Sequence, residues 1–237
     1  DHISVSVVHP LMLENGWTFA DGPGVMPDPV QNAQYFYEVY LRADPKYSGR
    51  VTVPVLWDKE TNQMVSNESS EIIRMFNTAF NDITKNQDDY YPAAHREEID
   101  TTNDRIYHQV NNGVYKAGFA TTQQAYEEAV IPLFETLDWL NDRLTERKFL
   151  LGDVITEADI RLFTTLIRFD PVYHGHFKCN RQRLAEIPYV AAYTRALFAM
   201  PAFRDTTNFT HIKQHYYGSH RNLNPSGIVP IGPDEPC

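Results

Sequence analysis

The sequence predicts an α/β segment joined to an all-helical one, and three observations carry that prediction. The hydrophobic spacing is strand-like up to Ser66 and changes to the helical period from Ser69 onward. A β-rich run, Arg50-Val51-Thr52-Val53-Pro54-Val55-Leu56-Trp57, is broken by a proline and followed, after one tight turn and a short apolar run, by Asn67-Glu68-Ser69-Ser70. The polar stretch Lys85-Asn86-Gln87-Asp88-Asp89 then reads as a linker, which sets expected domains of 1–84 and 96–237.

Each element follows from its own residues. Ile3-Ser4-Val5-Ser6-Val7-Val8 alternates at period two and stops at His9-Pro10, so a strand is expected there. Residues 51–57 and 63–66 give two more strands, joined by the polar turn Asp58 to Asn62. From Ser69, the residues Ile72, Met75, Phe76, Ala79, Phe80 and Ile83 lie at i, i+3, i+4, i+7, i+8 and i+11, the spacing of a helix with one buried face. Beyond the linker, Ile99, Asn103, Ile106, Tyr107 and Val110 mark one helix, and Ala129, Leu133, Leu137, Leu140 and Leu144 another. Ile155-Thr156-Glu157-Ala158-Asp159-Ile160 is a helix start. A hydroxyl at the N-cap and an acid three residues on can satisfy orphan N–H groups reciprocally, with Ile155 and Ile160 at the staple positions.

Composition excludes several classes of function. With 237 residues, 42% hydrophobic and 13% aromatic, the chain can fill the cores of one large or two ordinary domains. Its formal net charge of -10 opposes a polyanion, so neither nucleic acid nor an anionic membrane is an expected partner. No apolar run approaches the roughly 18 residues that span a bilayer, and no basic-apolar leader opens the sequence. Two cysteines, Cys179 and Cys237, make no disulfide framework, so a reducing, cytoplasmic setting is expected.

The Pro-interrupted strand and the Glu68-Ser69 pair carry the first site. A proline inside a strand removes a ladder donor and is tolerated at edges, bulges or where a cis bond turns the backbone toward a ligand. The N–H and C=O of Val53 would then be free to pair with an extended peptide. A helix start gathers unpaired N–H groups and positive dipole, which suits a carboxylate, while the Glu68 side chain suits an ammonium. Trp17, after Asn15-Gly16, reads as a loop residue that either packs or stacks on a ligand, and Arg50 could attract ligand carboxylates.

An α/β part with such a strand, joined to a helical part with a Thr-x-x-Asp cap, resembles the glutathione transferase superfamily. The blocks SVSVVHPLMLENGW (4–17), YSGRVTVPVLWD (47–58), 66–80, NNGVYKAGF (111–119), EADIRLFTTLIRFDPVYHGHFKC (157–179) and 224–233 look like its xi-class branch, the glutathionyl-hydroquinone reductases. The resemblance implies a glutathione transferase fold, with an N-terminal thioredoxin-like domain, incomplete at its start, and a C-terminal helical domain. It implies reductive removal of glutathione from S-glutathionyl hydroquinones, with glutathione as cosubstrate, no metal, aromatic hydroquinone conjugates as partners, and a homodimer. Glutathione contacts are implied at Trp17, Arg50, Val51, Thr52, Val53, Glu68 and Ser69. The tyrosines of the aromatic pocket are implied at Tyr115, Tyr173 and Tyr216, converging beside the glutathione site, with the Tyr115 hydroxyl donating or accepting the proton. The sequence sets Tyr115 in a Gly-containing break between helices, and packing with a satisfied hydroxyl is the simpler reading of all three.

In the family, a Cys-Pro-Trp-Ala motif at a helix start supplies the thiolate. That cysteine is expected roughly 15 to 20 residues upstream of Asp1. The strand before it, in a family sheet order 2-1-3-4, is expected to lie between Ile3–Val8 and Val51–Trp57. Without it a gap of roughly 10 Å would remain between them. The 237 residues alone are therefore expected to fold poorly and to lack the reductase activity. Cys179, in His176-Phe177-Lys178-Cys179, is a weaker nucleophile candidate whose thiol Lys178 and His176 could activate; Cys237 is weaker still. The pairs His211/His215 and His174/His176 lack the further ligands of a metal site. Two alternative functions stand beside the reductase: an omega-like thiol transferase acting on a disulfide or dehydroascorbate, and a non-catalytic glutathione-binding module.

Overall fold

Phe36, Val39 and Tyr40 repeat at i, i+3 and i+4 and form the buried face of a helix that the sequence reading did not anticipate, α1 (Phe36–Ala43). The Glu38 carboxylate accepts the N–H groups of Gln34 and Tyr35, satisfying donors at the start of that helix. The computed structural model describes residues 3–30 and 32–236. The chain separates into two compact units, Asp1–Gln87 and Asp88–Cys237.

The first unit has a small core of Ala33, Phe36, Val39 and Tyr40, against which Trp17, Val51, Val55 and Trp57 pack half-buried. Its sheet, among the described residues, is an antiparallel pair, β1 (Leu56–Asp58) and β2 (Gln63–Ser66), in the register Leu56↔Ser66, Trp57↔Met64 and Asp58↔Gln63. The Asp58 carboxylate closes the connecting turn by accepting the N–H of Glu60 and Thr61 and the Thr61 hydroxyl. The strand expected over 51–57 thus shortens to its last part. Pro54 has no N–H to give a ladder, and residues 51–55 run outside it.

The strand expected at Ile3–Val8 is also corrected. A period-two pattern encodes an extended backbone, but a strand needs a partner. Among the described residues only Val7 finds one, exchanging both backbone hydrogen bonds with Met26 in an isolated bridge. The next residue, Pro27, has no N–H with which to extend the pairing. No sheet order joins Ile3–Val8 to β1 among the described residues.

The single helix expected from Ser69 to Ile83 is two helices, α2 (Ser69–Thr78) and α3 (Asn81–Thr84), separated where Phe80 leaves helical geometry. Of its apolar face only Ile72 is buried; Phe76 is 41% and Ile83 60% exposed.

The second unit is built on α-helices: α4 (Arg96–Ile106), α5 (Gly113–Gly118), α6 (Gln123–Arg143), α7 (Glu157–Arg168), α8 (Pro188–Phe198), α9 (Pro201–Arg204) and α10 (Phe209–Ser219). Ala129, Leu133, Leu137, Leu140 and Leu144 are all buried, the stripe the spacing predicts. The start of α7 forms the expected capping box. Asp159 accepts the Thr156 N–H at 2.8 Å, and being fully buried it also accepts the Leu150 N–H and the Tyr193 hydroxyl. Five-residue π-turns, Tyr107–Asn111 and Phe169–Tyr173, widen the helices before α5 and after α7. Such turns shift the register of a helix and re-aim its side chains.

Candidate functional site

In the first unit, the candidate residues lie on two neighbouring segments. The Val53–Pro54 peptide is cis. Val53 is 42% exposed, and no hydrogen bond among the described residues engages its backbone. Upstream, the Arg50 carbonyl accepts the Tyr47 hydroxyl at 2.6 Å, and Val51 packs half-buried on the unit's core. Thr52 is bound at both backbone atoms by one hydroxyl: Tyr40 donates to its carbonyl at 2.6 Å and accepts from its N–H at 3.2 Å.

The second segment opens α2. Glu68 occupies the N-cap without a side-chain cap bond, and Ser69 is the first helical residue; both are exposed. The Ser66 hydroxyl holds the turn, accepting the Glu68 N–H at 3.1 Å and donating to the Glu71 carboxylate at 2.8 Å. An uncapped helix start beside an exposed carboxylate offers N–H groups to an anion and a charge to an ammonium.

Trp17 lies after a turn in which Gly16 adopts φ +73°, a backbone that favours glycine. Its carbonyl accepts the Phe36 N–H at 2.9 Å, and its side chain packs half-buried against the core of the unit.

In the second unit three tyrosines from three helical elements converge. Tyr115 lies in α5 rather than in a break between helices, which corrects the sequence expectation; Asn112 and Gly113 continue the helix after the π-turn. Tyr173 ends the second π-turn and Tyr216 lies in α10. The Tyr216 hydroxyl bonds to the Tyr115 hydroxyl and, at 2.9 Å, to the Tyr173 hydroxyl. Tyr173 and Tyr216 are buried, whereas Tyr115 is 39% exposed, so the hydroxyl chain runs from the surface inward. Burial first, then the neighbouring phenols, hold Tyr173 and Tyr216 well above the ordinary phenol range, with Arg168 opposing in part. Both therefore stay protonated at neutral pH, and the chain can pass or orient a proton at Tyr115.

Phe177 supports all three phenols. Its ring stacks on Tyr173 at 5.5 Å and meets Tyr115 and Tyr216 edge-on at 5.4 and 5.6 Å. Gly118 makes room for it, since a Cβ there would overlap the Phe177 ring. Beside it, His176 Nε2 and His220 Nδ1 share a hydrogen bond of 3.1 Å with their rings stacked. Burial, then the charges of His220, Lys178 and His215, lowers His176 to about 4, and burial lowers His220.

The sequence reading missed Tyr40, Phe177 and His220 as supporting residues. The i, i+3, i+4 spacing of Phe36, Val39 and Tyr40 was the available signal for α1. His220 stands four residues after Tyr216, one helical turn away. Nothing local marks Phe177.

Cys179 is corrected as a nucleophile candidate. It is fully buried, and burial pushes its thiol up to about 12, the opposite of the activation expected from Lys178 and His176. Cys237 lies outside the described residues. Among the described residues no group of three or more His, Cys, Asp or Glu is arranged to hold a metal, and no helix is long and apolar enough to cross a membrane.

A small α/β unit with an exposed cis-proline edge, followed by a helical unit with a capped α7, defines the glutathione transferase fold. Residues 123–196 match the family described as glutathione S-transferase, C-terminal domain. The chain is 56% identical over 234 residues to glutathionyl-hydroquinone reductase PcpF of Sphingobium chlorophenolicum, covering 99% of this chain and 75% of that protein. It is 50% identical over 239 residues to glutathione S-transferase omega-like 2 of Schizosaccharomyces pombe, covering 98% of this chain and 76% of that protein. The glutathione-bound structure of YqjG, a glutathione transferase homolog from Escherichia coli K-12, is similar with a TM-score of 0.95 and 55% identity, covering 98% of this chain and 78% of that one. The chain belongs to the glutathionyl-hydroquinone reductases, the xi class of glutathione transferases.

Proposed function

We propose that the protein removes glutathione from S-glutathionyl hydroquinones, taking a second glutathione and releasing glutathione disulfide. A cysteine thiolate forms a disulfide with the glutathione sulfur as the sulfur–aryl bond breaks; the aryl carbon keeps that electron pair and takes a proton. The thiolate of the second glutathione then attacks the mixed disulfide, freeing glutathione disulfide and regenerating the cysteine thiolate. The observation that carries this reading is the chain of three hydroxyls, Tyr115, Tyr216 and Tyr173, in a protein 56% identical to a relative named for this reaction.

In this reading Arg50, Val51, Thr52 and Val53, with Trp17, Glu68 and Ser69, hold glutathione. Val53 offers its backbone, Glu68 its charge to the ammonium and Ser69 the helix start to the carboxylate. Tyr115 exchanges the proton with the aromatic substrate, and Tyr216 and Tyr173 keep its hydroxyl oriented. The nucleophile is not Cys179, whose thiol is buried; the family resemblance assigns it to the cysteine of a Cys-Pro-Trp-Ala motif. Two cysteines without a disulfide framework support a cytoplasmic setting, and the resemblance supports a homodimer, which light scattering on the eluting protein would test.

The test is incubation of the full-length protein with a glutathionyl-hydroquinone and glutathione, with both products quantified. Free hydroquinone and glutathione disulfide are expected in equal amounts. Turnover of dehydroascorbate or a disulfide with none of the conjugate would replace this reading with the omega-like one; glutathione binding without turnover of any of them would leave a binding module.

A further inference from the structure

We propose that Tyr40 is a positioning residue for glutathione, its hydroxyl clamping the Thr52–Val53 edge to the Asn67–Glu68 turn at a fixed separation. The proposal rests on the assignment of glutathione to these two segments. Tyr40 is 1% exposed, yet its hydroxyl meets three polar atoms. It donates to the Thr52 carbonyl at 2.6 Å and accepts from the Thr52 N–H and from Asn67 Nδ2, each at 3.2 Å. One donor hydrogen and two lone pairs are all a phenol has, so this hydroxyl is saturated within the protein. It acts through its neighbours and not on a ligand.

Each neighbour adjoins a group assigned to glutathione. Thr52 precedes Val53, whose backbone makes no hydrogen bond among the described residues, and Asn67 precedes Glu68 and Ser69 at the start of α2. The sheet pairing does not extend to Thr52 or Asn67, so the ladder between β1 and β2 cannot set their separation. The hydroxyl bridges them instead. The ring is held independently, edge-on to Phe36 at 5.7 Å and tilted on Tyr47 at 4.9 Å. Tyr47 in turn fixes the Arg50 carbonyl, so the two tyrosines hold the backbone from Arg50 to Thr52. A ligand that binds both segments benefits when their spacing is fixed beforehand, because less ordering remains to be done on binding.

Tyr40→Phe keeps the ring and removes the clamp. In the full-length protein it should weaken glutathione binding by calorimetry, and raise the KM for glutathione, roughly 5- to 20-fold, while kcat at saturating glutathione stays within about two-fold. Asn67→Ala should weaken binding less, and the double variant no more than Tyr40→Phe alone, as for two partners in one bridge. Tyr193→Phe, which removes a buried hydroxyl bonded to Asp159 in the second unit, should lower Tm without moving glutathione affinity. A Kd within about two-fold of wild type in Tyr40→Phe, additive losses in the double variant, or an equal loss of affinity in Tyr193→Phe would overturn the clamp. Were Tyr40→Phe not to fold, unchanged affinity in Asn67→Ala would overturn it as well. A wild-type protein that takes up no glutathione would overturn the glutathione reading itself, a result distinct from normal binding that Tyr40→Phe leaves untouched.

Discussion

The hydroxyl of Tyr115, on α5, is bonded to that of Tyr216, on α10, across 101 residues of chain. Tyr115 is the more exposed residue of this pair, and in the proposed reaction its hydroxyl serves the substrate. Tyr115→Phe should slow deglutathionylation about 100-fold, the lower range for a lost proton-transfer group, with glutathione affinity nearly unchanged. Single-turnover measurement of hydroquinone release checks this, and an unaltered rate removes Tyr115 from the mechanism. Tyr216→Phe should in addition lower stability by about 1–3 kcal/mol, because the buried Tyr173 hydroxyl loses the partner it has at 2.9 Å.

Phe177 and Gly118 should behave as one contact. Phe177→Ala removes a fully buried ring and should cost about 3–5 kcal/mol. Gly118→Ala forces a methyl group into that ring and should cost about 1–3 kcal/mol in the wild type. In the Phe177→Ala background the same methyl finds space, so the second cost should largely vanish. Urea denaturation of the four proteins measures it; equal costs in both backgrounds would refute the contact.

Stability should fall with acid through the histidine pair. Folded His176 takes its proton at about 4 and an unperturbed one at 6.5, so between these values the unfolded chain binds more protons. The contribution is complete above pH 6.5 and is lost as pH falls toward 4, on the order of 3 kcal/mol for His176. His220 acts in the same direction. Denaturation midpoints at pH 7.5, 5.5 and 4.5 should drop more steeply in the wild type than in His176→Asn. Parallel curves would show that His176 is not the group responsible.

Cys179 should be silent in the folded protein. With the thiol at about 12, only about one molecule in 10⁴ carries the thiolate at pH 8, and the sulfur is buried besides. Alkylation followed by peptide mapping should find Cys179 unmodified until denaturant is added. Cys179→Ala should keep reductase activity within about two-fold, and a larger loss would restore Cys179 as a participant.

Much of the architecture was legible because it is encoded locally. The leucine stripe of α6, the Thr156-x-x-Asp159 cap, the Asp58 turn and the helix opening at Ser69 each depend on residues within one or two turns of one another. Their geometry follows from period, hydroxyl reach and dipole. The grouping of Tyr115, Tyr173 and Tyr216 came from family resemblance, since fourteen tyrosines in one chain carry no spacing that selects these three.

By itself the sequence determined the buried stripe of α6, the starts of α2 and α7 and the Asp58 turn. Tertiary structure decided the rest. Ile3–Val8 alternates as a strand should, but pairing needs a partner, and among the described residues only Met26 supplies one. Tyr40 and Asn67 are 27 residues apart and become a bridge only when α1 packs against β2. Cys179 sits among residues that would activate a thiol in water, and burial reverses the effect. Burial, pairing and proton affinity are set by neighbours distant in the chain, and the energy of a group depends on what replaces its water.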